Sequence, residues 1–139
     1  MNKADIVILI ADDNDGHVEL IREELLDMGV GNSIIRFTDG HEIWEYLVSV
    51  YQNGSLEHPK HLILLDINMP RVDGVEVLRR IKSFEEMKHV PVVMLTTTDD
   101  PREVETCFQL GCNHFLTKPI KFNKFAATLR KLGLLLRIT

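Results

Sequence analysis

Short, almost wholly apolar runs alternate along this chain with stretches in which apolar and charged residues recur at helical spacing. The run Ile6-Val7-Ile8-Leu9-Ile10-Ala11 stops abruptly at Asp12-Asp13-Asn14-Asp15. An unbroken apolar, β-branched segment of this length predicts a strand buried on both faces, as in a parallel sheet. Ser33–Phe37, Leu62–Leu65, Val92–Leu95 and the weaker Phe115–Thr117 repeat the signal. Between them lie five amphipathic patterns. Val18, Ile21, Leu25 and Met28 mark the first, with Gly29 as its stop. Ile43, Leu47 and Val50 mark the second, and Val75, Leu78 and Ile81 the third. The fourth is a stripe of Val104, Cys107, Phe108 and Gly111, opened by Asp100-Pro101 as cap and first-turn proline. Phe122, Phe125, Ala126, Leu129 and Leu132 form the fifth, ending at Gly133. Strands and helices in strict alternation predict an α/β fold, a parallel sheet with helices on both faces. Tyr51–Lys60 reads as a polar loop, and His58-Pro59-Lys60-His61 as loop rather than metal ligands.

With 139 residues the chain fits one domain, 1–139, with a core of about 5–133 and an apolar tail at 134–139. A composition 45% hydrophobic and 27% charged excludes general disorder. Sixteen Lys and Arg against 21 Asp and Glu leave a net charge of −5, which lacks the basic footprint of a nucleic-acid binder. No apolar run approaches the ~20 residues of a membrane-spanning helix, and the opening residues turn acidic too soon for a secretion signal. Two cysteines, Cys107 and Cys112, make no disulfide framework and are expected to pack in the fourth helix region, which suits a reducing cytoplasm.

In an open parallel sheet, ligands bind beyond the carboxyl ends of the strands, where strand order reverses. The residues at those ends here are Asp12 and Asp13 after the first strand, Asp66 with Asn68 after the third, Thr96 after the fourth, and Lys118-Pro119 after the fifth. Each alone has an ordinary explanation: a solvated helix start, a strand-end hydroxyl, a surface lysine. Together they place three carboxylates, a hydroxyl and an ammonium on one edge. Two carboxylates ~4 Å apart repel by about 4 kcal/mol at an effective dielectric of 20, so either one acid is protonated or a divalent cation binds. Few carboxylates, with water and phosphate completing the shell, suit Mg²⁺. Asp66, the central acid, is the candidate nucleophile toward a phosphoryl group, with Asp12 and Asp13 as metal holders. Lys118 and Thr96 would neutralise and hydrogen-bond the phosphoryl oxygens.

These residues are similar to the signature of a known family. The acid pair Asp12-Asp13, the stretch Leu62-Ile63-Leu64-Leu65-Asp66-Ile67-Asn68-Met69-Pro70 with Asp73-Gly74, then Thr96 and Lys118-Pro119 resemble a response-regulator receiver domain of two-component signalling. The likeness is to stand-alone chemotaxis-type regulators and runs from Ile6 to about Leu132. The resemblance implies a flavodoxin-like, doubly wound five-stranded sheet in the order 2-1-3-4-5. It implies that Asp66 takes phosphate from a phosphohistidine on a sensor histidine kinase. Asp13, Asp66 and the backbone carbonyl of Asn68 would then hold Mg²⁺, with Asp12 acting through water. It further implies a cis Lys118–Pro119 bond and a switch in which Thr96 and the aromatic Phe115 remodel the face of the fourth helix, fifth strand and fifth helix. Four positions depart from or tune the pattern. Phe115 stands where Tyr is also common, Thr97 where a smaller residue is frequent, and Asn68 and Thr98 where family members set the lifetime of the aspartyl phosphate.

Other chemistries fit less well. Haloacid-dehalogenase-type hydrolases need a second acid two positions after the nucleophile, and Asn68 occupies that place. A calcium loop aligned on Gly16 would put Ala11 and Arg22 at its first and last ligand positions. No glycine-rich nucleotide motif is present. The role the resemblance implies is a phosphorylated switch rather than an enzyme, with an effector or a histidine phosphotransfer protein as its further partner. Passing the phosphate onward, acting as a phosphate sink, and serving as an unphosphorylated binding module are the alternatives. The absence of a DNA-binding segment after Gly133 argues against direct transcriptional control. The tail Leu134-Leu135-Leu136-Arg137-Ile138-Thr139 is expected to finish the last helix or to contribute to a homodimer. Phytochrome-type kinases are one candidate partner class.

Overall fold

The computed structural model describes residues 6–52, 58–97 and 100–133. The expectations for residues 53–57 of the polar loop, for Thr98 and for the tail at 134–139 lie outside the described residues. Five strands and five helices alternate: β1 (Ile6–Ala11), α1 (Asp15–Asp27), β2 (Ile34–Phe37), α2 (Gly40–Tyr51), β3 (Lys60–Asp66), α3 (Gly74–Ser83), β4 (Val92–Thr96), α4 (Pro101–Gln109), β5 (His114–Thr117) and α5 (Phe122–Lys131). All strand pairs are parallel, in the order β2-β1-β3-β4-β5. Order reverses between β1 and β3, and the ligand edge follows from that reversal.

The near-continuous apolar strands have a simple cause, since both faces of the sheet are covered. Alternate residues feed separate clusters. Leu9, Ala11, Ile63, Leu65, Val92 and Met94 pack with Ile43 and Leu47 of α2, Val77, Leu78 and Ile81 of α3, and Cys107 of α4. Ile8, Ile10, Leu62, Leu64, Val93 and Leu95 pack with Val18, Ile21 and Leu25 of α1 and with Phe125, Ala126 and Leu129 of α5. Side-chain oxygens of Asn14, Asp39, Asp73 and Asp100 cap the first four helices by accepting backbone N–H groups. After α1, Gly29 takes a left-handed φ of 80° as the helix stops.

Several apolar positions fall elsewhere than their periodicity suggests. Tyr51, not Val50, closes the buried face of α2, and Val77 rather than Val75 joins Leu78 and Ile81 inside α3. In α4 Cys107 alone is buried, while Val104 is half-buried and Phe108 is 49% exposed. Gly111 lies beyond the helix end. Phe122, at the first turn of α5, is also half exposed. The supposed loop before β3 is partly strand, because Lys60 and His61 begin β3. His61 is buried, with Tyr46 Oη 3.1 Å from its Nε2 and Tyr51 Oη 2.8 Å from its Nδ1. Burial, reinforced by nearby His58, pulls its pKa down to about 4. Cys107 and Cys112 are both buried free thiols, and burial drives both thiol pKa values up, that of Cys112 to about 12. That makes them packing groups rather than redox groups.

Candidate functional site

The parallel register aligns the strand ends. Ala11 pairs with Leu65, Asp66 with Leu95 and Thr96 with Thr117, so the residues that follow these strands meet on one edge. Asp66 is the last residue of β3 and is nearly buried. The chain turns under it at once. The Gly74 N–H donates to the Ile67 carbonyl at 2.7 Å, and a Cβ on Gly74 would stand 2.1 Å from the Asp66 carbonyl oxygen. Glycine is therefore required where α3 starts against the end of β3. Gly40 plays the same part for α2, where a Cβ would lie 1.8 Å from the Val72 carbonyl oxygen.

Asp12 is fully buried and its carboxylate is crowded with donors. Its Oδ1 accepts the Asn14 N–H at 2.9 Å, and its Oδ2 accepts both Lys118 Nζ at 2.9 Å and His17 Nδ1 at 2.8 Å. Burial works against its charge, but the hydrogen bonds from His17, Lys118 and Asn14 outweigh it and hold the carboxyl down at about 2. Asp12 is thus an ionised acceptor, which places the His17 proton on Nδ1. Lys118 also reaches Asp66, its Nζ lying 3.3 Å from Oδ2. For Asp66 burial dominates and pushes the carboxyl above its ordinary value; Lys118 counters this and Asp12 adds to it.

Asp13 is exposed at the rim. One carboxylate oxygen each from Asp12, Asp13 and Asp66 lies within 4.8 Å of the others. Hard oxygen donors at this spacing, one of them already resisting ionisation, fit a small divalent cation. Thr96 is fully buried at the end of β4, and its carbonyl accepts the Lys118 N–H at 2.6 Å. The Lys118–Pro119 bond is cis. Asn68 is exposed beside Asp66, its N–H 3.4 Å from Oδ1. Phe115 stands apart from the acids. It pairs in register with Met94, packs on the α2–α4 side of the sheet, and its ring centre is 6.5 Å from that of Phe108.

Two residues that sequence reasoning passed over belong to this edge. His17 grips the Asp12 side chain from the first turn of α1, and Arg36 of β2 grips the Asp12 backbone. The Arg36 Nε and Nη2 donate to the Asp12 carbonyl at 3.1 and 2.9 Å. The signal for His17 was its position in the first turn of the helix that follows the acid pair. For Arg36 it was a cation at the carboxyl end of the strand beside β1.

Comparison with known proteins agrees with this fold. A family described as the response regulator receiver domain matches residues 8–130. Response regulator Rcp1 of Synechocystis is 37% identical over 114 residues, covering 81% of this chain and 76% of its own. The Mn²⁺-bound form of Rcp1 has a similar structure, with a TM-score of 0.75, 30% identity and coverage of 96% of each chain. A receiver domain from Rhodospirillum rubrum is 40% identical with a TM-score of 0.77, over 92% of this chain and 91% of its own. The phosphorylated cyanobacterial phytochrome response regulator RcpA is 31% identical, with a TM-score of 0.75 over 94% and 93%.

Proposed function

The chain belongs to the response regulator receiver family of two-component signalling, and from that premise we propose that Asp66, in the cytoplasm, accepts a phosphoryl group from the phosphohistidine of a sensor histidine kinase. The observation that carries this reading is the meeting of three carboxylates within 4.8 Å at the end of the sheet, with Lys118 Nζ bonded to two of them.

Each group has a task. Asp66 Oδ attacks phosphorus, the P–N bond breaks, and its electron pair returns to the donor imidazole. Asp13, Asp66 and the Asn68 carbonyl would hold Mg²⁺, and Asp12 would act through a water molecule. When bound, the ion supplies positive charge to the phosphoryl oxygens. The Lys118 ammonium, already at 3.3 Å from Asp66 Oδ2, meets the same oxygens, and the Thr96 hydroxyl turns toward them. Capture of Thr96 frees space beside β4 that the Phe115 ring enters, and the change reaches α4 and α5, where an effector or a phosphotransfer protein reads it. A metal-bound relative and a phosphorylated relative among the similar structures support the reading. On this account the protein catalyses its own phosphorylation and slow dephosphorylation.

Intact mass after incubation with Mg²⁺ and acetyl phosphate tests it. The expected result is one phosphoryl adduct on the wild-type chain, absent from Asp66→Asn and from a sample without metal. No adduct, with acetyl phosphate or with phosphorylated kinases, would leave a receiver-shaped binding module.

A further inference from the structure

We infer that Arg36 is a positioning residue for the metal site, acting on Asp13 through the peptide group that joins it to Asp12. The inference rests on the Mg²⁺ site proposed above and adds a residue to it.

The argument starts from how the loop after β1 is held. Asp12 donates its N–H to the Phe37 carbonyl at 3.0 Å. Its own carbonyl accepts both Nε and Nη2 of Arg36, at 3.1 and 2.9 Å. Both backbone groups of Asp12 are therefore tied to β2. The carbonyl oxygen and the N–H of Asp13 belong to the same rigid peptide plane, so the guanidinium fork fixes the direction in which Asp13 leaves the strand. Asp13 itself is exposed, with little packing around it to do the same. The third nitrogen of the fork is held as well, since Nη1 lies 2.7 Å from Oδ1 of the exposed Asp15. That contact sets the guanidinium plane and leaves its other edge facing the carbonyl. The side chain is only 21% exposed, so the fork is a fixed fitting rather than a mobile surface cation.

Charge and geometry oppose each other at this residue, and the opposition makes the inference testable. A guanidinium beside an acidic cation site repels the cation. If Arg36 acted through its charge alone, removing it would tighten metal binding. If it acts by holding the Asp12–Asp13 peptide, removing it weakens binding, as loss of groups behind metal ligands does by roughly 10–100-fold.

The test is calorimetric titration of full-length wild type and Arg36→Met with MgCl₂, alongside amide hydrogen exchange at Asp13 and Asn14 in metal-free protein. The expected result is Mg²⁺ affinity lower by about tenfold or more, together with faster exchange at those two amides. Affinity that is unchanged or tighter overturns the inference, whatever the exchange shows. Should Arg36→Met fail to fold, Arg36→Lys carries the same test with the charge held constant. Weaker binding is then expected, and unchanged affinity overturns the inference. If the wild type itself takes up no Mg²⁺, the proposed metal site fails and this inference falls with it, an outcome visible in the first titration.

Discussion

The backbone of Gly74 lies so close to Asp66 that a single added carbon would stand 2.1 Å from the Asp66 carbonyl oxygen. Neither partner can yield cheaply. The carbonyl sits at the end of a central strand, and the Gly74 N–H is bonded to the neighbouring Ile67 carbonyl. Gly74→Ala is expected to cost about 2–3 kcal/mol in urea unfolding, in the range of other overpacking substitutions. Because the strain falls on the peptide of Asp66, the proposed nucleophile, acetyl phosphate labelling should slow as well. An unchanged unfolding midpoint would mean that α3 shifts away freely.

Lys118 stands between two acids and competes with any cation for both. Replacing it with Met removes a positive charge 3.3 Å from Asp66 and 2.9 Å from Asp12. Mg²⁺ binding should tighten several-fold, because the repulsion is gone. Phosphorylation should slow by roughly 10²-fold, the usual effect of deleting one group that stabilises developing charge. Calorimetry and the rate of adduct formation, measured on one preparation, would check the two opposite changes. Parallel losses in both would count against a separate phosphoryl contact.

At the other end of the sheet, His61 makes folding sensitive to mild acid. Its pKa is pulled from 6.5 to about 4 in the folded chain, so the unfolded chain takes up the proton first as pH falls. The stability contribution is complete above about pH 6.5, declines between 6.5 and 4, and levels off below. The decline should be about 1 kcal/mol per pH unit. Denaturant melts across that range should therefore be steeper in pH for the wild type than for His61→Phe. The variant will start lower at neutral pH, since it leaves the Tyr46 and Tyr51 hydroxyls without their hydrogen-bond partner.

The strands and the acids were legible because each is written locally. An apolar run that ends in aspartate declares both the buried strand and the charged edge, as β1 with Asp12 and β3 with Asp66 do. Helical faces were less legible where a helix packs by few contacts. The stripe through Val104, Cys107 and Phe108 has the right spacing, yet Phe108 points outward. His17 and Arg36 were easy to pass over for another reason. Their roles come from contacts with Asp12 that the fold supplies, 24 positions away along the chain for Arg36. A histidine in a first helical turn and an arginine on an edge strand carry no motif of their own.

Of the nine residues of α4, Cys107 alone is buried. In mechanical terms this helix is a lever on one pin. Tilting it forfeits little more than one small side chain's burial, whereas α1, α2, α3 and α5 would each have to extract several. Elements with so little at stake open first. The lever also rests near the Phe115 ring through Phe108, and on the proposed mechanism this is the contact through which a push from the strand end would reach the outer surface of the protein.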